Sequence, residues 1–158
     1  MKHKHVRIAV RDAPSPGVEA IPARAVGDDQ WQLLRSPLYA TDVASGDVVK
    51  ILDDSTGAFE IVHRGGNVCV QFYLGEAEMD DAAATAAVAA LIATRISAIG
   101  GRIDGTTPGL ITCTVDVSAG FPAIEESFNA AAAQCHGSQW QFANVYDSAS
   151  GEPLGWWS

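Results

Sequence analysis

Three cysteines, four histidines and 19 acids are the side chains with chemistry to offer in this 158-residue chain, and their spacing matches no catalytic or metal site. A nucleophilic thiol needs a lowered pKa, some exposure and a base nearby. Cys113 and Cys135 fall on the apolar faces of a strand and a helix, and Cys69 lies on a strand beside Gln71 and Tyr73. Cys135 precedes His136, but adjacent helical residues point in different directions, so the two are no dyad. All three cysteines are expected to be small buried hydrophobes. An odd number of widely spaced cysteines is neither a disulfide framework nor a C-x-x-C site. His3 and His5 share a strand face, but two ligands alone make a weak metal site. His63 could act as a base, yet no nucleophile lies near it in sequence. The glycines at 65–66 and 100–105 fit neither phosphate-binding pattern, and the second stretch follows a helix where a phosphate loop would precede one. No catalytic residue, metal or cofactor is expected.

What remains is charge. Residues 1–67 hold nine acids against eight bases, whereas residues 68–158 hold ten acids against Arg95 and Arg102 alone, within a net charge of −9. Such a field repels nucleic acid and anionic membranes and draws a basic partner inward. Two carboxylates across a cleft could hydrolyse a glycoside, but Glu76 with Glu78, and Glu125 with Glu126, read instead as solvated surface. The tail Leu154-Gly155-Trp156-Trp157-Ser158 carries two tryptophans that either anchor a partner or fold back onto the core.

The elements that position these groups follow from periodicity. Val6, Ile8 and Val10 alternate as a half-buried strand, and the loop from Asp12 to Gly17 is set by two prolines and a glycine. A strand from Val18 to Val26 contains Pro22, which suggests a sheet edge or a bulge. Short strands follow through Trp31 and Leu33, after Gly46-Asp47, and through Phe59, Ile61 and His63. In the second half, Val68–Leu74 is a strand, and a helix spans Met79–Ile99 with Asp80 and Asp81 in its first turn. Leu110–Val117 is a strand with Thr112, Thr114 and Asp116 on its polar face. A second helix begins near Pro122, and a last strand runs from Gln139 to Tyr146. The stretch from Gly105 to Gly109 leaves room for a further turn or strand. The fold class is α+β: an antiparallel sheet or partial barrel over 5–67, continuous with a ferredoxin-like split βαβ half over 68–146. One domain over 1–158 with a single core is expected. No apolar run reaches a membrane span, and no apolar signal core follows the basic N-terminus, so the cytoplasm is expected.

The segment Ser36-Pro37-Leu38-Tyr39-Ala40, then Val43 and Gly46-Asp47-Val48-Val49, resembles the signature of a bacterial family known as domain of unknown function 4265. With the N-terminal strand and a C-terminal strand bearing Trp140, the resemblance covers most of residues 5–146. The family name implies no chemistry.

Composition therefore favours a binding protein. The leading expectation is an immunity or antitoxin-type protein that neutralises a basic toxin domain through Glu76, Glu78, Asp80, Asp81, Asp116, Glu125 and Glu126, with Trp156 and Trp157 as anchors. One alternative is a small-molecule or enzymatic pocket between the halves that uses His63, Tyr73 or Cys69. Another is a subunit of a larger assembly joined through the C-terminal aromatics.

Overall fold

The computed structural model describes residues 2–11 and 17–158; the expected loop at 12–16 lies outside them. Five strands, β1 (His3–Val10), β2 (Gly17–Gly27), β3 (Gln30–Leu33), β4 (Val48–Asp53) and β5 (Ala58–His63), form an antiparallel meander in sequence order. The sheet is not closed into a barrel. Its outer strands meet where Ala9 N donates to Gly57 O at 3.0 Å. Gly57 has φ +74°, and a Cβ there would lie 2.6 Å from Ala9 N, so that approach requires glycine.

Pro22 is not at a sheet edge. β2 is paired on both sides, and Leu34 N donates to Pro22 O at 2.9 Å. A strand residue's N and C=O face the same way, so the proline nitrogen points past the end of β3, where no ladder bond is lost. The bulge falls between Ala25 and Gly27 instead.

The second half runs β6 (Asn67–Tyr73), α1 (Ala82–Ser97), β7 (Arg102–Thr107), β8 (Leu110–Asp116), α2 (Phe121–Ala133) and β9 (Gln139–Phe142), with sheet order β7-β8-β6-β9 and every pair antiparallel. This is the ferredoxin-like arrangement. Strand β7 starts before the Gly105–Gly109 stretch left open in the sequence reading and takes in its first three residues; its register slips between Ile103 and Gly105, which breaks the apolar alternation.

Helix α1 starts three residues later than its periodicity suggests. Glu76–Glu78 form a 3-10 turn, and Asp81 is the N-cap, accepting from Ala84 N at 2.9 Å, so neither Asp80 nor Asp81 is in the first turn. At the other end Gly101 N donates to Ile96 O and Gly100 N to Ser97 O, a Schellman closure with Gly100 at φ +80°. Strand β9 ends at Phe142, not Tyr146. Beyond it the buried Asn144 side chain substitutes for ladder bonds, accepting from Cys69 N and donating to Asn67 O, each at 2.9 Å.

One core was expected and two main ones form. The first lies under the meander, around Val6, Ile8, Ile21, Leu33, Val49 and Phe59. The second lies between the ferredoxin-like sheet and its helices, around Phe72, Ile92, Ile96, Ile111, Ile124 and Phe128. Between them lies a mostly polar seam with a small apolar cluster of Ala44, Cys69 and Ala143.

Candidate functional site

The polar seam is built by residues far apart in sequence. Strands β6 and β8 turn Val70, Phe72, Ile111, Cys113 and Val115 toward the helices, which by the period of two sends Cys69, Gln71, Thr112 and Thr114 to the other face. The sequence reading set Thr112 and Thr114 on the strand face opposite Ile111, Cys113 and Val115, as found. Both are buried, and the loop between β3 and β4 reaches Thr114. That loop contributes Ser36, whose hydroxyl lies 2.6 Å from Thr114 Oγ1 and accepts from Ser45 N at 3.0 Å. Thr114 donates to Asp104 Oδ2 at 2.6 Å, and Ser36 N donates to the same oxygen at 2.7 Å. Arg102 closes the ring, giving Nε to Asp104 Oδ1 at 2.8 Å and Nη2 to Ser45 Oγ at 2.7 Å.

Two further carboxylates hold the same loop. Glu19 accepts from the backbone N–H groups of Leu38, Tyr39 and Ala40 at 2.7, 2.8 and 3.0 Å. Asp47 accepts from Ala44 N and Gly65 N at 3.0 and 2.8 Å and meets Arg64 at 3.4 Å. Burial pushes the Asp47 carboxyl above its ordinary value, against the pull of those bonds and of Arg64. The segment that carries the family resemblance is thus the strap that joins the two sheets. Its Gly46 sits so close to Gly65 that a Cβ on Gly65 would lie 2.4 Å from the Gly46 carbonyl carbon. Ser36, Asp104 and Thr114 were missed by sequence reasoning. Only the Ser36–Val49 motif held a signal that could have flagged them.

Ser36, Thr114, Asp104 and Gln71 in the seam are committed to hydrogen bonds. Burial pushes the Cys69 thiol up to about 12, with the Ser36 hydroxyl pulling the other way, so it is no nucleophile near neutral pH. Cys113 is pushed up further by the same cause. Tyr73 lines a shallow cleft of about 240 Å³ between the halves with Tyr39, Gln71 and Gln141. His63 is exposed at the end of β5, and no hydrogen bond joins it to Cys69 or Tyr73. Among the described residues no group of three His, Cys, Asp or Glu could hold a metal ion. No helix there is long and apolar enough to cross a membrane.

The acids fall into two kinds. Asp81 caps α1, and Asp116 accepts from Ser118 N at 2.8 Å at the start of a short turn, so both are tied to backbone. Glu76, Asp80, Glu125 and Glu126 are exposed and Glu78 is half-buried. Ion pairs among the described residues use Asp42, Asp47 and Asp104, and none of these five has a cation. Trp156 and Trp157 fold back: both pack on the helix-side core, and Trp156 Nε1 donates to Asn144 O at 2.7 Å. Trp157 stands edge-on to Phe121 at 5.1 Å, in an aromatic series that continues through Phe142 and Trp140. Beside that series, along β9, runs an open groove of about 700 Å³ between the loop at Thr41 and Asp42 and the turn at Tyr146 and Asp147.

A family model described as Domain of unknown function (DUF4265) matches residues 19–139. No curated protein matches the chain. Among solved structures, a hypothetical protein from Neisseria gonorrhoeae is similar over 90% of this chain and 95% of its own, with a TM-score of 0.68 and 13% identity, a likeness of fold.

Proposed function

The chain belongs to the DUF4265 family, and from its own surface we propose that it is a binding module for a basic protein partner, acting in the cytoplasm. An immunity or antitoxin role, in which a basic toxin domain is held and blocked, is the specific form of this reading. The observation that carries it is a set of acids on the ferredoxin-like half that no described cation pairs, the exposed Glu76, Asp80, Glu125 and Glu126 and the half-buried Glu78, against two arginines in the whole of that half. Of those arginines, Arg102 is spent on Asp104 and Ser45. A one-signed surface of this kind steers a basic partner and accelerates encounter, and salt screens it over about 10 Å at 0.1 M.

The test is capture of partners on the immobilised full chain at low salt, elution with salt, and association kinetics of the eluted protein. A single stoichiometric basic protein should elute, and its association should slow as salt rises. The double substitution Glu125→Lys with Glu126→Lys should slow association about 10-fold or more while leaving the urea midpoint unchanged. Association insensitive to both salt and charge reversal would sink the proposal.

A further inference from the structure

The open edge of β9 is the place where this chain is built to receive another strand. Among the described residues β9 has only β6 as a strand neighbour. Ala143 N donates to Cys69 O at 2.8 Å, and Gln141 and Gln139 follow it in the same register opposite Gln71 and Tyr73. In an antiparallel ladder the alternate residues, here Trp140 and Phe142, turn their N–H and C=O away from the partner. Those four backbone groups face the open edge, and no described residue bonds them. Their side chains are held in the aromatic series, where Trp140 Nε1 also donates to Asn129 Oδ1 at 3.0 Å. The edge is therefore fixed in place, although a bare edge is what native sheets normally hide.

The walls of the groove choose the occupant. Asp147 is held in a tight turn, with Oδ1 accepting from Ala149 N and Ser150 N at 2.8 and 2.9 Å, and it has no cation among the described residues. Tyr146 beside it is 47% exposed, and its ring lies 6.5 Å from that of Phe142. Asp42 stands on the opposite wall, fixed by Asp42 N donating to Ala143 O at 2.9 Å, with Arg11 reaching it at 3.7 Å. A carboxylate beside an aromatic face suits a lysine or arginine, whose apolar stem lies along the ring. A second copy of this chain would bring the same acids against each other.

We propose that β9 takes an extended, basic segment of the partner protein as an added strand, its backbone bonding Trp140 and Phe142 and its cationic side chain lying on Asp147 beside the Tyr146 ring. This rests on the binding reading above but uses a different surface from Glu125 and Glu126, so the two can fail separately. Main-chain bonds would supply affinity and the Tyr146–Asp147 wall specificity, as in other strand additions.

The probe is a capped peptide alternating lysine and valine, titrated into the full chain and followed by amide exchange and chemical shifts. The Trp140 and Phe142 amides should gain protection at least about 10-fold at saturation. N-methylation of alternate peptide nitrogens, which removes one edge of donors and keeps every charge, should abolish that gain. Asp147→Asn, which can still close its turn, should weaken binding about 3-fold or more. A peptide that binds equally well when N-methylated, protection confined to other residues, the absence of binding, or a peptide-free dimer that protects the same amides would each overturn the inference. If the peptide fails while the Glu125 and Glu126 reversals still slow a captured partner, strand addition falls and the broader reading stands.

Discussion

The two faces of the ferredoxin-like sheet are both buried, and they are buried by different physics. On the helix side, Phe72, Ile111, Val115 and Phe128 form an apolar core whose stabilisation scales with area and has no direction. On the other side, Thr112, Thr114, Gln71 and Cys69 lie under the strap between β3 and β4, and burial there works only where each polar group finds a partner. The first face tolerates any apolar residue of suitable volume. The second depends on a particular ring of donors and acceptors. The difference teaches that the two sheets are held together by directional bonds between distant residues.

The largest effect belongs to the apolar face. Phe128 is fully buried in the second core, with its ring 5.6 Å from that of Trp140. Phe128→Ala is predicted to cost about 3–5 kcal/mol in urea unfolding, the sum of lost transfer energy and a cavity. On the polar face the sharpest break is Asp104→Ala, which removes the acceptor shared by Ser36 N and the Thr114 hydroxyl and the ion-pair partner of Arg102. We predict about 2–3 kcal/mol, because the donors that lose this acceptor keep their desolvation cost. A double-mutant cycle of Asp104→Ala with Ser36→Ala should show a coupling of about 1 kcal/mol or more. Strict additivity would show that the ring is not one unit.

Neighbouring threonines on that face sharpen the contrast. Thr114 sits in the ring, but Thr112 Oγ1 is buried with no hydrogen-bond partner among the described residues. The same substitution should therefore act with opposite sign two residues apart. Thr114→Val is predicted to destabilise by about 1–2 kcal/mol, and Thr112→Val to be neutral or to stabilise by about 1 kcal/mol. Equal losses at both positions would mean that Thr112 is satisfied after all.

The contrast between the faces also explains what could be read from sequence. The apolar face announces itself: Val70, Phe72 and Leu74, then Ile111, Cys113 and Val115, recur every second residue, and Ile92 and Ile96 at helical spacing complete the pattern. Those residues, and the ferredoxin-like half they imply, were legible. The polar face was not, since threonine at alternate positions is also the mark of a solvated strand. Burial of Thr114 is decided by Ser36, 78 residues away, and no local pattern encodes that pairing. Strand β7 was hidden for a related reason, as its bulge near Gly105 leaves only Ile103 as an apolar signal. The excess of acids in the second half was legible because net charge needs no three-dimensional partner. The groove beside β9 was missed because an open edge is a property of sheet order.

The smallest effect separates the two environments by the sign of a pH slope. Asp47, inside the strap, has its carboxyl raised above 3.8 chiefly by burial, with the bonds from Gly65 N, Ala44 N and Arg64 offsetting part of that rise. Asp116, at the surface, is lowered from 3.8 by the backbone N–H of Ser118 and then by its hydroxyl. A lowered carboxyl contributes stability that is present above the unfolded pKa and lost as pH falls through the folded one. A raised carboxyl does the reverse: its penalty is absent below the unfolded pKa and complete above the folded one. The stability of the unaltered chain minus that of Asp116→Asn is therefore predicted to increase from about pH 3 to about pH 6. The same difference for Asp47→Asn should decrease over that range. Urea unfolding at several pH values would read both slopes. If the Asp47 difference also increased with pH, its hydrogen bonds and Arg64 would outweigh its desolvation. The strap would then be an electrostatically favourable cradle, and the polar face of the sheet would stabilise by charge as well as by geometry.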